Sequence, residues 1–298
     1  MSETKVNYQH KDRLFKKVFS EKKDLLSLYN AINDTSYDDP ASIEINTIDN
    51  FIFMGMKNDV SCIIADVMNL YEQQSTINPN MPLRGFLYQA ELYRKLFGNN
   101  TDLYSSRLIT LPTPQFIVFY NGTDEEPDRK LLKLSDAYIG KPKYEPSIDC
   151  TAVLLNINYG HNQELMEKCK RLQEYSILIH RVRENIKAGM EKTQAVIAAV
   201  DSCIKDDILA DILTSHRGEA TNMILEEYDE DLHIKSEKEI SYDQGDKHGF
   251  ERGEKHGFNR GKEIIVQVVK RLKSGEKTEA IIADGIDADT VELAKQCL

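Results

Sequence analysis

Three side chains in a short apolar stretch, Asp59, Glu72 and Gln74, have the types and spacing to hold a divalent cation. Residues 59–74 read Asp-Val-Ser-Cys-Ile-Ile-Ala-Asp-Val-Met-Asn-Leu-Tyr-Glu-Gln-Gln, with β-branched and apolar residues on both sides of Ala65-Asp66. A hairpin turning at Ala65-Asp66 pairs 64 with 67, 63 with 68 and, by continuation, 59 with 72. Two carboxylates then face each other with Cβ atoms roughly 5 Å apart, where like charges repel unless a cation lies between them. The period-two rule puts Gln74 on the same face as Glu72. Hard oxygen donors of this kind suit Mg²⁺, which takes one or two protein carboxylates and shares its other positions with water and phosphate. The chemistry implied is phosphodiester hydrolysis. A solvent-exposed hairpin end bounded by charged residues gives the same pattern. A one-residue slip would put the carboxylates on opposite faces, and Ala-Asp is a poor type I′ turn.

Other polar residues fall into pairs. Asp12 and Lys16 stand one helical turn apart with Phe15 and Phe19 on the other side, the spacing of an ordinary i,i+4 ion pair. Arg84 and Tyr88 form a second one-turn pair on the segment after the hairpin, where an arginine could hold a phosphate or simply face solvent. The seven histidines show no H-E-x-x-H spacing, and there is no Walker A loop or Gly-x-Ser-x-Gly elbow.

These residues need a core to hold them. The chain has 298 residues, 41% of them apolar, enough for one main domain of about 200 residues with appendages. Its net charge of −11 argues against a long basic groove for nucleic acid and leaves room for a cleft with a local basic rim. Five scattered cysteines (Cys62, Cys150, Cys169, Cys203, Cys297) contain no C-x-x-C pair, which argues against a disulfide framework or a zinc site and fits a reducing cytoplasm. Basic residues interrupt residues 1–16 where a signal peptide would be apolar, and no apolar run approaches the roughly 18 residues of a membrane span. A cytoplasmic protein without membrane partners is expected.

Periodicity supplies the elements. Residues 12–33 read as one or two amphipathic helices, 43–53 as a strand before the hairpin, and 83–97 as a helix with the stripe Leu83, Phe86, Leu87, Ala90, Leu96 and Phe97. Pro82 stands where a helix start accepts proline. Residues 114–122 form a buried strand closed by Asn121-Gly122, and 131–134 and 152–157 are further strands. Residues 163–187 predict one long helix with Leu165, Cys169, Leu172, Tyr175, Ile179 and Val182 inward, and the pattern stays helical to residue 228. The sum is an α/β protein, a mixed sheet flanked by helices, over residues 1–235.

Residues 236–262 differ in kind. Gly245, Gly249, Gly253, Gly257 and Gly261 recur every fourth position within an eight-residue repeat. Each costs a helix about 1 kcal/mol against alanine, yet on a helix they form a stripe that another backbone could approach. A homo-oligomerising or partner-docking helix and a polar, semi-flexible spacer are the two readings. Residues 263–298 predict small helices, the last capped by Asp289.

Taken in order, Asp12-x-x-Phe15-Lys16, Asn58-Asp59, Glu72-Gln-Gln74-Ser-Thr, Asn78-Pro-Asn-Met-Pro-Leu-Arg84, Tyr88, Leu111-Pro-Thr-Pro-Gln-Phe-Ile-Val-Phe-Tyr-Asn-Gly122 and the glycine repeat resemble the Rpn family. These are recombination-promoting nucleases, often labelled transposases, of the PD-(D/E)XK superfamily. The resemblance implies a restriction-endonuclease-like core, DNA as substrate, and Mg²⁺ (or Mn²⁺) held by Asp59, Glu72 and the main-chain carbonyl of Gln73. It places Asp12 at the acidic position of the first helix and Gln74 where the superfamily has lysine. Glutamine can orient a water but cannot lower its pKa as an ammonium does, so Lys16 or Arg84 would have to supply the missing charge and, with Tyr88, meet the substrate. The competing reading keeps the fold but not the chemistry, as a DNA-binding or regulatory protein. A true transposase fits less well, because nothing resembles a separate end-recognition domain.

Overall fold

The computed structural model describes residues 14–45, 60–98, 104–140 and 143–296. Two helices come first, α1 (Leu14–Val18) and α2 (Lys22–Asn33), and then a two-residue strand β1 (Glu44–Ile45). The hairpin follows as β2 (Val60–Ile64) and β3 (Val67–Gln74). Helix α3 (Met81–Phe97) leads to β4 (Thr113–Tyr120), β5 (Arg129–Lys133) and β6 (Thr151–Asn156). The remainder is helical: α4 (Gln163–Lys168), α5 (Lys170–Lys187), α6 (Lys192–Lys205), α7 (Ala210–Ser215), α8 (Arg217–Lys273), α9 (Thr278–Ala283) and α10 (Ala288–Lys295).

The sheet runs β1-β2-β3-β4-β6-β5. β1, β2 and β3 form an antiparallel meander, β3, β4 and β6 are parallel, and β5 returns antiparallel along β6. The parallel pair β3 and β4 requires a crossover, and α3 is that crossover. The hairpin register is the expected one, with Ile64 opposite Val67, Ile63 opposite Met68 and Val60 opposite Tyr71. Ala65 (φ 48°) and Asp66 (φ 61°) both take the left-handed conformation of a type I′ turn, although neither is glycine or asparagine. Burial of both strands sets the register, and the turn residues follow it.

Side-chain alternation divides the core between the two faces of the sheet. Tyr71, Ile117 and Phe119 face the larger cluster, built with α1, α2, α5 and α6. Phe15 of α1 reaches this face with its ring 5.1 Å from Phe119 and 5.6 Å from Tyr175. Met68, Leu70, Phe116, Val118 and Leu154 face the other way, toward Met81, Tyr88 and Leu92 of α3. A second compact unit, residues 234–298, has its own small core of Val268, Ile281, Val291 and Ala294. Within it, Arg271 bonds Glu276 and Asp284 and so ties the end of α8 to α9.

Several expectations are corrected. The buried face of α3 is Met81, Gly85, Tyr88, Gln89 and Leu92, while Leu83 and Leu96 are exposed. Both faces of this helix are apolar, so periodicity alone chose the wrong one. Gly85 decides the matter, because a Cβ there would lie 2.2 Å from the ring of Phe116. The helix expected over 163–187 is broken at Cys169 (φ −127°, ψ 89°), a break that no glycine or proline announces. Asp287, and not Asp289, caps α10, its carboxylate accepting from the Thr290 N–H. Of the strand expected over 43–53, Glu44–Ile45 is described, and 46–59 lie outside the described residues. The glycine repeat falls within α8, and a Cβ on Gly253, Gly257 or Gly261 would meet nothing within 4 Å.

Two measurements test this packing. Gly85→Ala, which helix propensity alone would make favourable by about 1 kcal/mol, is expected to destabilise by about 1–3 kcal/mol because the Phe116 ring has nowhere to move; urea denaturation reads this directly. Burial pushes the Cys62 thiol up to about 12 and the Cys203 thiol up to about 11. Both should resist alkylation at pH 8 in the native protein and react once it is unfolded, as mass spectrometry of labelled peptides would show.

Candidate functional site

Glu72 and Gln74 come at the carboxyl end of β3, two residues apart and therefore on one face. Leu70 and Met68, two and four residues before Glu72, turn that face toward α3. Glu72 is 3% exposed and Gln74 is 9% exposed, so neither is a solvated strand end. The charged-terminus reading of the hairpin is thereby excluded for Glu72. The next pair in the register would be 59 with 72. Asp59 lies outside the described residues, as does Asp12.

Helix α3 brings its first turns over this strand end. Met81 is fully buried, and Pro82 starts the helix beside it. The Gln74 amide donates to Met81 Sδ at 2.8 Å, and Arg84 Nη1 reaches the same sulfur at 3.6 Å. Arg84 Nη2 donates to the Tyr88 hydroxyl at 3.1 Å and stands 3.8 Å from Glu72 Oε2, while its Cζ lies 5.8 Å from the centre of the Tyr88 ring. The i,i+4 spacing of Arg84 and Tyr88 thus puts a guanidinium against a buried carboxylate. At 3.8 Å this is an ion pair without hydrogen-bond geometry, open to competition by a cation at Glu72 or an anion at Arg84. Lys16 belongs to α1, which packs through Phe15 on the opposite face of the sheet from Glu72. Arg84 is the guanidinium that α3 brings to Glu72.

Gln73 points the other way, into a polar network under the larger core. Its side-chain amide donates to Asn121 Oδ1 at 2.7 Å, and Asn121 Nδ2 donates to the Tyr175 hydroxyl at 3.2 Å. The Asn121 N–H bonds the Gln74 carbonyl at 3.0 Å, and Arg183 of α5 donates to the Asn121 carbonyl. Asn121 therefore fixes the end of β3, the end of β4 and α5 together. The next residue, Gly122, admits no side chain, since a Cβ would lie 2.0 Å from the Ser75 carbonyl oxygen and 2.4 Å from the Tyr120 hydroxyl. That hydroxyl bonds both the N–H and the carbonyl of Asp124, and burial raises its pKa to about 12, so it stays a donor. Met81 and Asn121 stand within the motifs that resemble the Rpn family, but the sequence alone assigns them no such role. Packing of α3 on the sheet brings Met81 to Gln74, and the parallel pairing of β3 with β4 brings Asn121 beside the end of β3.

Among the described residues, no group of three His, Cys, Asp or Glu side chains is placed to hold a metal ion. No helix among them is long and apolar enough to cross a membrane. No family model, curated protein or solved structure matches the chain.

Asn121 offers a test of the network. Asn121→Ala removes the buried bonds to the Gln73 amide and the Tyr175 hydroxyl and should cost about 2–4 kcal/mol. Gln73→Leu in that background should then cost less than it does in the wild type. A double-mutant cycle by chemical denaturation measures the coupling.

Proposed function

We propose that the chain is a metal-dependent DNA endonuclease with a restriction-endonuclease-like core, as its resemblance to the Rpn family implies. The observation that carries this reading is a buried carboxylate, Glu72, at the carboxyl end of a central strand and 3.8 Å from a guanidinium on the following helix. Structural ion pairs are normally exposed, and a buried one seldom improves stability over apolar residues of the same volume. A carboxylate kept in such a place is better explained by chemistry. The order helix, strand, hairpin, helix and parallel strand also supports the reading, because Glu72 and Gln74 lie on one strand and Arg84 and Tyr88 on the helix that follows it.

The chemistry of the donors, carboxylate and main-chain carbonyl oxygens, suits a hard divalent cation. Glu72 would supply an oxygen ligand and Gln73 a main-chain carbonyl, with Asp59 and Asp12 as the remaining candidates. Bound Mg²⁺ would lower the pKa of water and neutralise charge on the phosphate. The protein's own residues do the rest. Arg84 exchanges its weak contact with Glu72 for a charge-assisted bond to a phosphate oxygen, and Tyr88 holds the guanidinium in plane as it does so. Gln74 positions the attacking water, for which its amide must leave Met81 Sδ.

That last requirement favours one specific alternative. With Gln74 bound to a thioether and Arg84 beside Glu72, the site can also serve a noncatalytic protein that keeps the fold for DNA binding or partner regulation. Plasmid nicking in Mg²⁺, Ca²⁺ and EDTA separates the two. The endonuclease reading expects Mg²⁺-dependent nicking that Glu72→Ala and Asp59→Ala each reduce by at least about 10²-fold. Variant proteins that nick as fast as wild type would overturn it. Wild-type protein that neither nicks nor shows Glu72-dependent Mn²⁺ binding would favour the alternative.

A further inference from the structure

Beyond Gly122, on the opposite face of the sheet from Glu72, the carboxyl ends of β4 and β6 open into a cleft of about 640 Å³ roofed by α5. Ser176, His180, Arg183 and Lys187 line it from one stripe of that helix, at spacings of four, three and four residues. Ser176 is 5% exposed, and its hydroxyl has no hydrogen-bond partner. The Arg183 Nε is likewise buried and unpartnered, while the Arg183 Nη atoms are fixed on Asn158 Oδ1 and the Asn121 carbonyl. Between them, the Tyr159 ring stacks on His180 at 4.5 Å and 15°, with Tyr159 still 60% exposed. The opposite wall carries Asp124 and Glu125. Of the other acidic groups, Glu126 is engaged by Lys130 and Glu184 by Lys187.

We propose that this cleft binds a mononucleotide, with its base on Tyr159 and its phosphate at Arg183. Buried polar groups are normally satisfied, and leaving one unmet costs about 1–3 kcal/mol. Ser176 and Arg183 each hold such a group in one cleft. They are seven residues apart, about 10 Å along a helix, so one compact anion cannot meet both, whereas a base, sugar and phosphate in sequence can. The aromatic platform supplies the third contact, since a nucleobase stacks on a tyrosine ring already backed by a second ring. The acidic wall would repel a bare polyanion but accepts from base amino groups and sugar hydroxyls. Topology agrees, because ligands of α/β sheets bind outside the carboxyl ends of parallel strands. The nucleotide would touch neither Glu72, Gln74 nor Arg84, and the proposal does not depend on the nuclease reading.

Isothermal titration of the full chain with adenosine 5′-monophosphate in EDTA tests the proposal, with adenosine and inorganic phosphate as comparison ligands. The monophosphate is expected to bind more tightly than either fragment. Tyr159→Ala, at an exposed position, should weaken it about tenfold. Ser176→Ala should weaken it severalfold while leaving the melting temperature equal or higher, which a purely structural serine would not do. Glu72→Ala should bind it as wild type does, whatever that variant does to nicking. Competition by a 5′-phosphorylated oligonucleotide would show that the nucleotide can be met as a strand end, and its absence that the free nucleotide is the ligand. No measurable binding of the monophosphate, or wild-type affinity in both Tyr159→Ala and Ser176→Ala, would overturn the proposal.

Discussion

Asn121 is the constraint on which the rest of this structure depends. It is 3% exposed, and its polar groups are bound to two different elements, β3 and α5. Its N–H holds the end of β3 through the Gln74 carbonyl, its carbonyl takes Arg183 from α5, Oδ1 takes the Gln73 amide, and Nδ2 reaches the Tyr175 hydroxyl. A buried amide satisfied on all sides admits few alternative arrangements, because every displacement leaves a polar group unpaired in a low-dielectric setting. This fixes where β3 ends, and so where Glu72 and Gln74 present their side chains. It equally fixes Arg183 at the mouth of the cleft on the other face.

The two faces of the sheet consequently hold different chemistry at the same strand ends. On the α3 face, a carboxylate, an amide, a thioether and a guanidinium converge in a small buried space. On the α5 face, a wider cleft offers an aromatic stack and unmet donors. Alternation along β3 makes the division, since Glu72 and Gln74 turn one way and Gln73 the other. The close approach of Gly122 to Ser75 keeps the intervening backbone tight. Neither face can be altered at Gln73 or Asn121 without disturbing the other.

Arg84 illustrates how a modest local preference becomes a site. An arginine and a tyrosine one turn apart on a helix are ordinary surface neighbours worth a few tenths of a kcal/mol. Here Pro82 and Gly85 let α3 lie so close to β3 and β4 that the pair is carried over a buried carboxylate. Its Nη2 stands 3.8 Å from Glu72 Oε2, longer than a hydrogen bond.

By itself, the sequence determined the α/β class, the hairpin register, the strand at 114–120 and most of the inward residues of α5. In each of these the apolar period is strong and only one face can be buried. It also singled out Glu72, Gln74, Arg84 and Tyr88 before any geometry was known. What it could not determine were features set by contacts distant in the chain. The buried face of α3 depends on Phe116, which lies 31 positions after Gly85 and excludes any side chain there. The break at Cys169 has no local cause. Asn121 looked like a turn residue and is a buried junction, and Ser176, Tyr159 and His180 meet at a cleft that exists only once β4 and β6 lie parallel. Periodicity reports how a segment divides apolar from polar; only tertiary packing decides which of two apolar faces is covered and which polar groups come together.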